Sequence, residues 1–321
     1  MSRRRSSDPA ELLDVALGGD RGAVARLLSL IEDGGQQARA IGRSAFELGG
    51  SAFTLGITGA PGAGKSTLTS SLVTTVRREG LRVAVLAIDP SSPFTGGAIL
   101  GDRVRMGDHA LDEGVFIRSM ATRGHLGGLT QATPEAIRLL DALGFPWVLI
   151  ETVGVGQVEV EVAGAADTTV VVVNPGWGDS VQAAKAGLME IADVFVINKS
   201  DRPGVADTRR DLDQMLDLGG RTDRGAWRPP IVQTVASEHA GTTQLWEAVK
   251  GHRAHLVETG ELEVRRRRRL DDELVRIAGV LVQERAQRVQ SSAEYESLRE
   301  EVERRRIDPW TAAARLLTRS S

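Results

Sequence analysis

An apolar run, Thr54 to Thr58, passes directly into Gly59-Ala60-Pro61-Gly62-Ala63-Gly64-Lys65-Ser66, and a helical pattern continues from Ser66 to Arg78. The octapeptide satisfies G-x-x-x-x-G-K-[ST] in full, between a strand and a helix, which is the context that gives the motif its mechanism. Glycines let the backbone curl so that successive N–H groups point inward at phosphate oxygens. The following helix turns the positive end of its dipole toward the same anion. Lys65 can reach β- and γ-phosphates, and the Ser66 hydroxyl, with Thr67 behind it, can hold Mg2+. Such a junction constrains the fold. It calls for an α/β P-loop nucleoside triphosphatase fold, a mainly parallel central sheet flanked by helices.

The rest of the chain agrees. Short apolar runs recur at Val83 to Ile88, Val115 to Ile117, Trp147 to Ile150, Thr169 to Val173, Val194 to Ile197 and Ile231 to Val235. Helical stretches such as Val181 to Ile191 separate most of them, and this alternation predicts a parallel sheet covered on both faces. Before it, Glu11 to Asp33 reads as two short helices broken at Gly18-Gly19, then a polar joint from Asp33 to Gln37. From Glu261 onward the strand texture stops. Leu270, Leu274, Ile277 and Leu281 mark one face of a long helix, and Asp308-Pro309 caps and opens a last one, Trp310 to Leu317. The expected division is an N-terminal helical extension over 1–48, a nucleotide-binding domain over 49–258 and a C-terminal helical arm over 259–321.

Composition narrows the chemistry. With 321 residues and 41% hydrophobic content the chain can bury a proper core, and it contains no cysteine. A disulfide framework, a thiolate metal site and a thiol nucleophile are thereby excluded. A net charge of −3 argues against a whole-domain grip on nucleic acid. No apolar run reaches membrane-span length. The basic start, Arg3-Arg4-Arg5, is followed by Asp8, Glu11 and Asp14 rather than an apolar segment, so a cytoplasmic location is expected. Lysine occurs only at Lys65, Lys185, Lys199 and Lys250, and two of these fall in nucleotide motifs.

Asn198-Lys199-Ser200-Asp201 follows the run Val194 to Ile197, hence stands on the C-terminal edge of a strand, where parallel sheets bind ligands. Guanine offers N–H donors at N1 and N2, and the Asp201 carboxylate can accept both. Adenine would leave that carboxylate buried and unpaired, a strongly discriminating mismatch. Lys199 can lay its aliphatic stem along the base. The pattern therefore favours GTP over ATP. Thr234-Val235-Ala236 stands where a base-backing loop commonly carries a Ser-Ala pair, so a backbone N–H from Ala236 is retained while the Ser hydroxyl is not, and Val235 and Ala236 count among the nucleotide-binding residues.

Acids at other strand ends supply metal ligands and switches. Asp89, in Ile88-Asp89-Pro90, and Glu151, in Glu151-Thr152-Val153-Gly154, are placed to complete an oxygen shell around Mg2+. Glu151-x-x-Gly154 has the form of a γ-phosphate sensor. The residue after that glycine is Val155 where a water-orienting Gln is common, and Gln157 comes later, so slow unaided hydrolysis is expected.

Taken in order, Gly56 to Thr67, Leu86 to Pro93, Gly96 to Met106, Arg123 to Gly128, Glu151 to Gln157 and Asn198 to Asp201 closely resemble the MeaB/ArgK family of GTPase chaperones of methylmalonyl-CoA mutase. The resemblance runs from about Phe53 to Trp246. It implies that Lys65 and Ser66 bind phosphate and metal, and that Asp89, Asp102 and Glu151 are the carboxylates around Mg2+ and the switches. Lys65, Asp102, Glu151 and Lys185 would be the catalytic set. The segment Asn174 to Lys185 falls on the family's third switch, with Asp179, Gln182 and Lys185 relaying nucleotide state to the mutase; Trp177 departs from the small residue many members carry there. The implied partners are an adenosylcobalamin-dependent acyl-CoA mutase and, through the helical arm, a second copy of the chain.

Three other readings compete, one of them a pure binding protein without physiological turnover, in which Val155 would reflect lost hydrolysis. A metallochaperone GTPase for another metalloenzyme would need Cys or His clusters. A kinase or transport-associated ATPase would tolerate adenine, against Asp201. No motif marks direct cobalamin binding. Arg265 to Arg269 is flanked by Glu261, Glu263, Asp271, Asp272 and Glu273, the pattern of a solvated or subunit-facing helix rather than a nucleic-acid patch. His252 and His255 read as surface positions late in a helix.

Overall fold

The computed structural model describes residues 8–89, 107–121, 132–152, 164–176, 190–218, 226–290 and 292–319. Its sheet has seven parallel strands in the order β3-β2-β4-β1-β5-β6-β7. They are β1 (Phe53–Gly59), β2 (Val83–Asp89), β3 (Val115–Ala121), β4 (Trp147–Thr152), β5 (Thr168–Val173), β6 (Val194–Asn198) and β7 (Ile231–Thr234). Each expected run is a strand. β1 sits in the middle, between β4 and β5, so the chain winds to one side through β2 and to the other through β6. The crevice at such a reversal is where sheets of this class bind ligands.

The strands alternate between two apolar layers. Val83, Val85, Trp147, Leu149, Val170, Val172, Val194 and Val196 face one side with Leu55 and Ile57 of β1. There they meet α4 (Lys65–Arg78) through Leu68, Leu72, Val73 and Val76, and α7 (Thr242–Thr259) through Leu245, Trp246, Val249 and Leu256. Trp147 packs edge-on against both Phe53 and Trp246. On the other side, Ala84, Leu86, Ile88, Val148 and Ile150 meet the N-terminal helices α1 (Pro9–Leu17), α2 (Arg21–Asp33) and α3 (Gly35–Leu48), and α5 (Ala132–Ala142). Farther along that side, Val171, Val173, Phe195 and Ile197 pack with Leu212 of α6 (Val205–Leu218). Burial on both faces explains why the strands read as continuous hydrophobic runs.

Three details differ from the sequence reading. The polar joint shrinks to Gly34, at φ 74°, and α3 starts directly at Gly35. β3 runs on to Ala121 although Arg118 interrupts its apolar texture, because this edge strand sends Arg118 to an ion pair with Glu32 of α2. His252 is not at the surface. It is wholly buried within α7, its Nδ1 2.8 Å from Thr168 Oγ1 and its Nε2 3.3 Å from an Asp193 carboxylate oxygen. Trp227 packs against it with its ring tilted and donates from Nε1 to the Asp193 carbonyl. This network ties the N-terminal ends of β5 and β6 to α7, at the edge of the sheet away from the phosphate loop.

The described residues up to Leu262 form one unit, and those from Glu263 a second. The second holds most of α8 (Glu261–Val289), then α9 (Ala293–Glu303) and α10 (Pro309–Arg319). Asp308 caps α10, accepting from the backbone N–H groups of Trp310 and Thr311, as its sequence predicts. The face marked by Leu270, Leu274, Ile277 and Leu281 is exposed, as is Trp310. No helix among the described residues is long and apolar enough to cross a membrane.

Candidate functional site

β1 ends at Gly59, whose φ of 136° is closed to ordinary side chains. A Cβ there would stand 2.1 Å from the Val172 carbonyl oxygen of β5. The backbone leaves the sheet at this point and curls through Gly62 and Gly64, at φ 74° and 89°. Gly64 is the N-cap of α4 and brings no side chain to cap it. The first-turn N–H groups of the helix therefore remain for an anion. Lys65 is buried, and its Nζ donates to the carbonyl oxygens of Gly59 (2.7 Å) and Ala60 (3.0 Å) at the loop's own mouth.

The end of β6 is fastened to this loop. Asn198, at 2% exposure, donates from Nδ2 to the Ala63 carbonyl at 2.8 Å. Its Oδ1 accepts from Thr234 Oγ1 at 3.0 Å and from the Ala236 backbone N–H at 3.2 Å. All the polar capacity used by Asn198 here goes to protein, making it a strut between the phosphate loop, β6 and the segment after β7. Approach is so close that a Cβ on Gly64 would stand 2.5 Å from Asn198 Nδ2. Lys199 adopts a left-handed φ of 59° and reaches across to donate to the Gly62 carbonyl at 2.6 Å. Its stem thus crosses from the strand end to the loop, while Asp201 is exposed in the turn beyond. Ser200 N–H is held by the Thr234 carbonyl at 3.0 Å.

Glu151 brings the third strand end to the loop. It is 1% exposed in β4, and Ser66 Oγ donates to its Oε1 at 2.5 Å. A hydroxyl and a carboxylate side by side are hard oxygen donors of the kind Mg2+ takes, and it needs few from protein. The residues fit that ion. Behind them Thr152 Oγ1 donates to Thr58 Oγ1 at 3.3 Å, joining β4 to β1. Asp89 ends β2 in register with Ala121 of β3.

Asp102, Val155, Gln157, Trp177, Asp179, Gln182 and Lys185 lie outside the described residues. The predicted third switch is described only at its start. There Asn174 Nδ2 approaches the Gly62 carbonyl at 3.4 Å, and Gly176 N–H donates to Thr208 Oγ1 of α6 at 3.1 Å. Sequence reasoning gave Thr234 and Asn174 no role of their own, although Asn174 opens the predicted third switch. Thr234 stood inside the quoted base-backing motif, and Asn174 at the end of a strand edging the loop, so position was the available signal for both.

Comparison with known proteins gives a consistent result. Residues 24–292 match the family described as methylmalonyl Co-A mutase-associated GTPase MeaB. A putative GTPase of Pyrococcus abyssi is 50% identical over 96% of this chain and 95% of its own length. The GTPase ArgK of Escherichia coli is 40% identical over 76% of each chain. Among solved structures, that of a LAO/AO transport system kinase superposes with a TM-score of 0.69 at 25% identity, covering 98% of both chains.

Proposed function

The chain belongs to the MeaB family of methylmalonyl-CoA mutase-associated P-loop GTPases, and from that premise we propose that its nucleotide state controls an adenosylcobalamin-dependent acyl-CoA mutase, gating cofactor loading and protecting the loaded enzyme. The mutase half of the reading is supported by the family match over residues 24–292, and the GTPase half by the joint between phosphate loop and base reader. Asn198 and Lys199 hold the guanine-reading edge of β6 onto the Gly62 and Ala63 carbonyls, so base recognition and phosphate binding share one rigid piece.

In this reading the loop over Gly59 to Thr67 binds the phosphates through its backbone N–H groups, Pro61 having none, and Lys65 exchanges its two loop carbonyls for β- and γ-phosphate oxygens. Asp201 accepts from guanine N1 and N2, Lys199 lies along the base, and Val235 and Ala236 back it. Ser66, Glu151, Asp89 and Asp102 would hold Mg2+, which when bound neutralises charge on the phosphate oxygens. Glu151, released from Ser66, senses the γ-phosphate through the segment ending at Gly154. With Val155 in the water-orienting place, the chain alone positions the attacking water poorly, and hydrolysis waits on a partner. Asp179, Gln182 and Lys185 would carry that partner's signal, and the arm over 259–321 would pair two copies of the chain.

Likeness to the LAO/AO transport system kinase favours a second reading, transfer of the phosphate to an acceptor. Turnover separates the two. Purified chain with Mg2+ should release inorganic phosphate from GTP slowly, and an adenosylcobalamin-dependent methylmalonyl-CoA mutase should accelerate the release. Unchanged GTP turnover in the presence of such mutases would contradict the proposed role.

A further inference from the structure

We infer that His239, through a hydrogen bond to Ser71, is a positioning residue that sets the base-backing loop against the phosphate-loop helix. This rests on the reading of 235–236 as that loop. The segment between β7 and α7 is a closed loop. Val235 and Ala240 exchange backbone hydrogen bonds of 3.1 and 3.2 Å, and the turn closes at Gly241, where a Cβ would stand 2.1 Å from the Gln233 carbonyl oxygen. The loop's base-facing end is tied through the Ala236 N–H to Asn198. Its far end is tied at His239, whose Nδ1 lies 2.7 Å from Ser71 Oγ.

Ser71 belongs to α4 and is 1% exposed, so the imidazole is anchored to a fixed point on the helix that begins with Lys65. Thr242 reinforces the anchor, with its Oγ1 donating to the His239 carbonyl at 2.9 Å and standing 3.4 Å from Ser71 Oγ. His239 takes a left-handed φ of 56° to make this contact. That conformation is rare outside glycine, asparagine, aspartate and a few histidines. A non-glycine residue there needs a reason, and the bond to Ser71 provides one. The loop is thus suspended between two points, one on the base-reading strand and one on the phosphate-binding helix. Its distance from the phosphates, and so the depth of the base pocket, depends on both.

The φ requirement shapes the test. Gly at 239 keeps the backbone and removes the bond; Asn keeps the backbone and offers an amide where Nδ1 stood. Equilibrium binding of GTP and ATP to the full chain is measured for Ser71→Ala, His239→Gly, His239→Asn and the double variant, with Asp201→Asn as control. Losing this one hydrogen bond should weaken GTP binding roughly three- to tenfold in Ser71→Ala and His239→Gly. ATP binding should be unchanged, His239→Asn should behave as wild type, and the double variant should be no worse than either single. GTP and ATP weakened by the same factor, wild-type GTP affinity in either single variant, or failure of Asn to restore what Gly removes would each overturn the inference. If Asp201→Asn keeps the GTP preference, the base-reader reading itself falls, and the role of His239 falls with it.

Discussion

Single residues at this site work through carbonyl oxygens of the phosphate loop. Asn198 contributes three hydrogen bonds from a buried position, and its loss leaves the Ala63 carbonyl, the Thr234 hydroxyl and the Ala236 N–H without it. An unsatisfied buried partner costs about 1–3 kcal/mol. Asn198→Ala should therefore lower unfolding stability by about 2 kcal/mol and GTP affinity at least tenfold, read by denaturant unfolding and titration. Gly59→Ala forces a methyl against the Val172 carbonyl in a φ region that alanine avoids. It should give a chain that unfolds at markedly lower denaturant and does not retain GTP. At this scale the sequence was legible where spacing is contiguous. Gly59 to Ser66 and Asn198 to Asp201 announce their expected chemistry because the residues of each motif are adjacent in sequence and lie in one turn. Thr234, Asn174 and the pair Ser71 and His239 do not, because their partners lie far away in sequence and only the assembled sheet brings them near.

At the scale of elements, α4 is held from several sides. It packs under β1, and it is gripped from two flanks. Ser70 meets His109 Nε2, which also lies 3.0 Å from the Ser70 carbonyl, while Ser71 meets His239. Farther along, Arg77 Nε donates to Asp112 at 2.9 Å, and the other carboxylate oxygen accepts from the Gly114 N–H at 2.8 Å. The Arg77 hydrogen bond holds the Asp112 carboxyl below its ordinary range, with the Gly114 N–H assisting. A depressed folded-state pKa gives stabilisation that is present above the usual carboxylate pKa of about 3.9 and is lost as pH falls through the lower folded value. Both side chains are partly exposed, which keeps the effect small. Asp112→Asn should therefore cost stability at neutral pH and flatten its decline below about pH 4, as seen in thermal unfolding across pH. The strands were legible as apolar runs because both faces are buried. α3 was not, since Gly34-Gly35 looks like a joint, and both glycines do turn at positive φ, yet the helix already begins at Gly35. β3 looked short because Arg118 is satisfied by Glu32, a contact invisible in β3's own sequence.

For the whole molecule, the parallel sheet and the family were legible, the first from alternation and the second from motifs in order. The arm is where pattern and structure leave most to the partner. Leu270, Leu274, Ile277 and Leu281 line one face of α8 and are exposed, between 40% and 65%. If this face pairs two copies, replacing Leu274 and Ile277 by Asp should yield a monomer in light scattering with its thermal unfolding temperature little changed. A wild-type chain that is already monomeric would remove the dimer from the proposal.

Asp201, exposed in the turn just beyond β6, is proposed to make this a guanine-specific enzyme. The most direct test of this is the nucleotide preference of Asp201→Asn. Xanthine exchanges the N2 donor of guanine for an acceptor, and an amide can meet it where a carboxylate cannot. The wild type should hydrolyse GTP in preference to ATP and xanthosine triphosphate, and Asp201→Asn should reverse the preference toward xanthosine triphosphate. A variant that still selects GTP would contradict this role of Asp201.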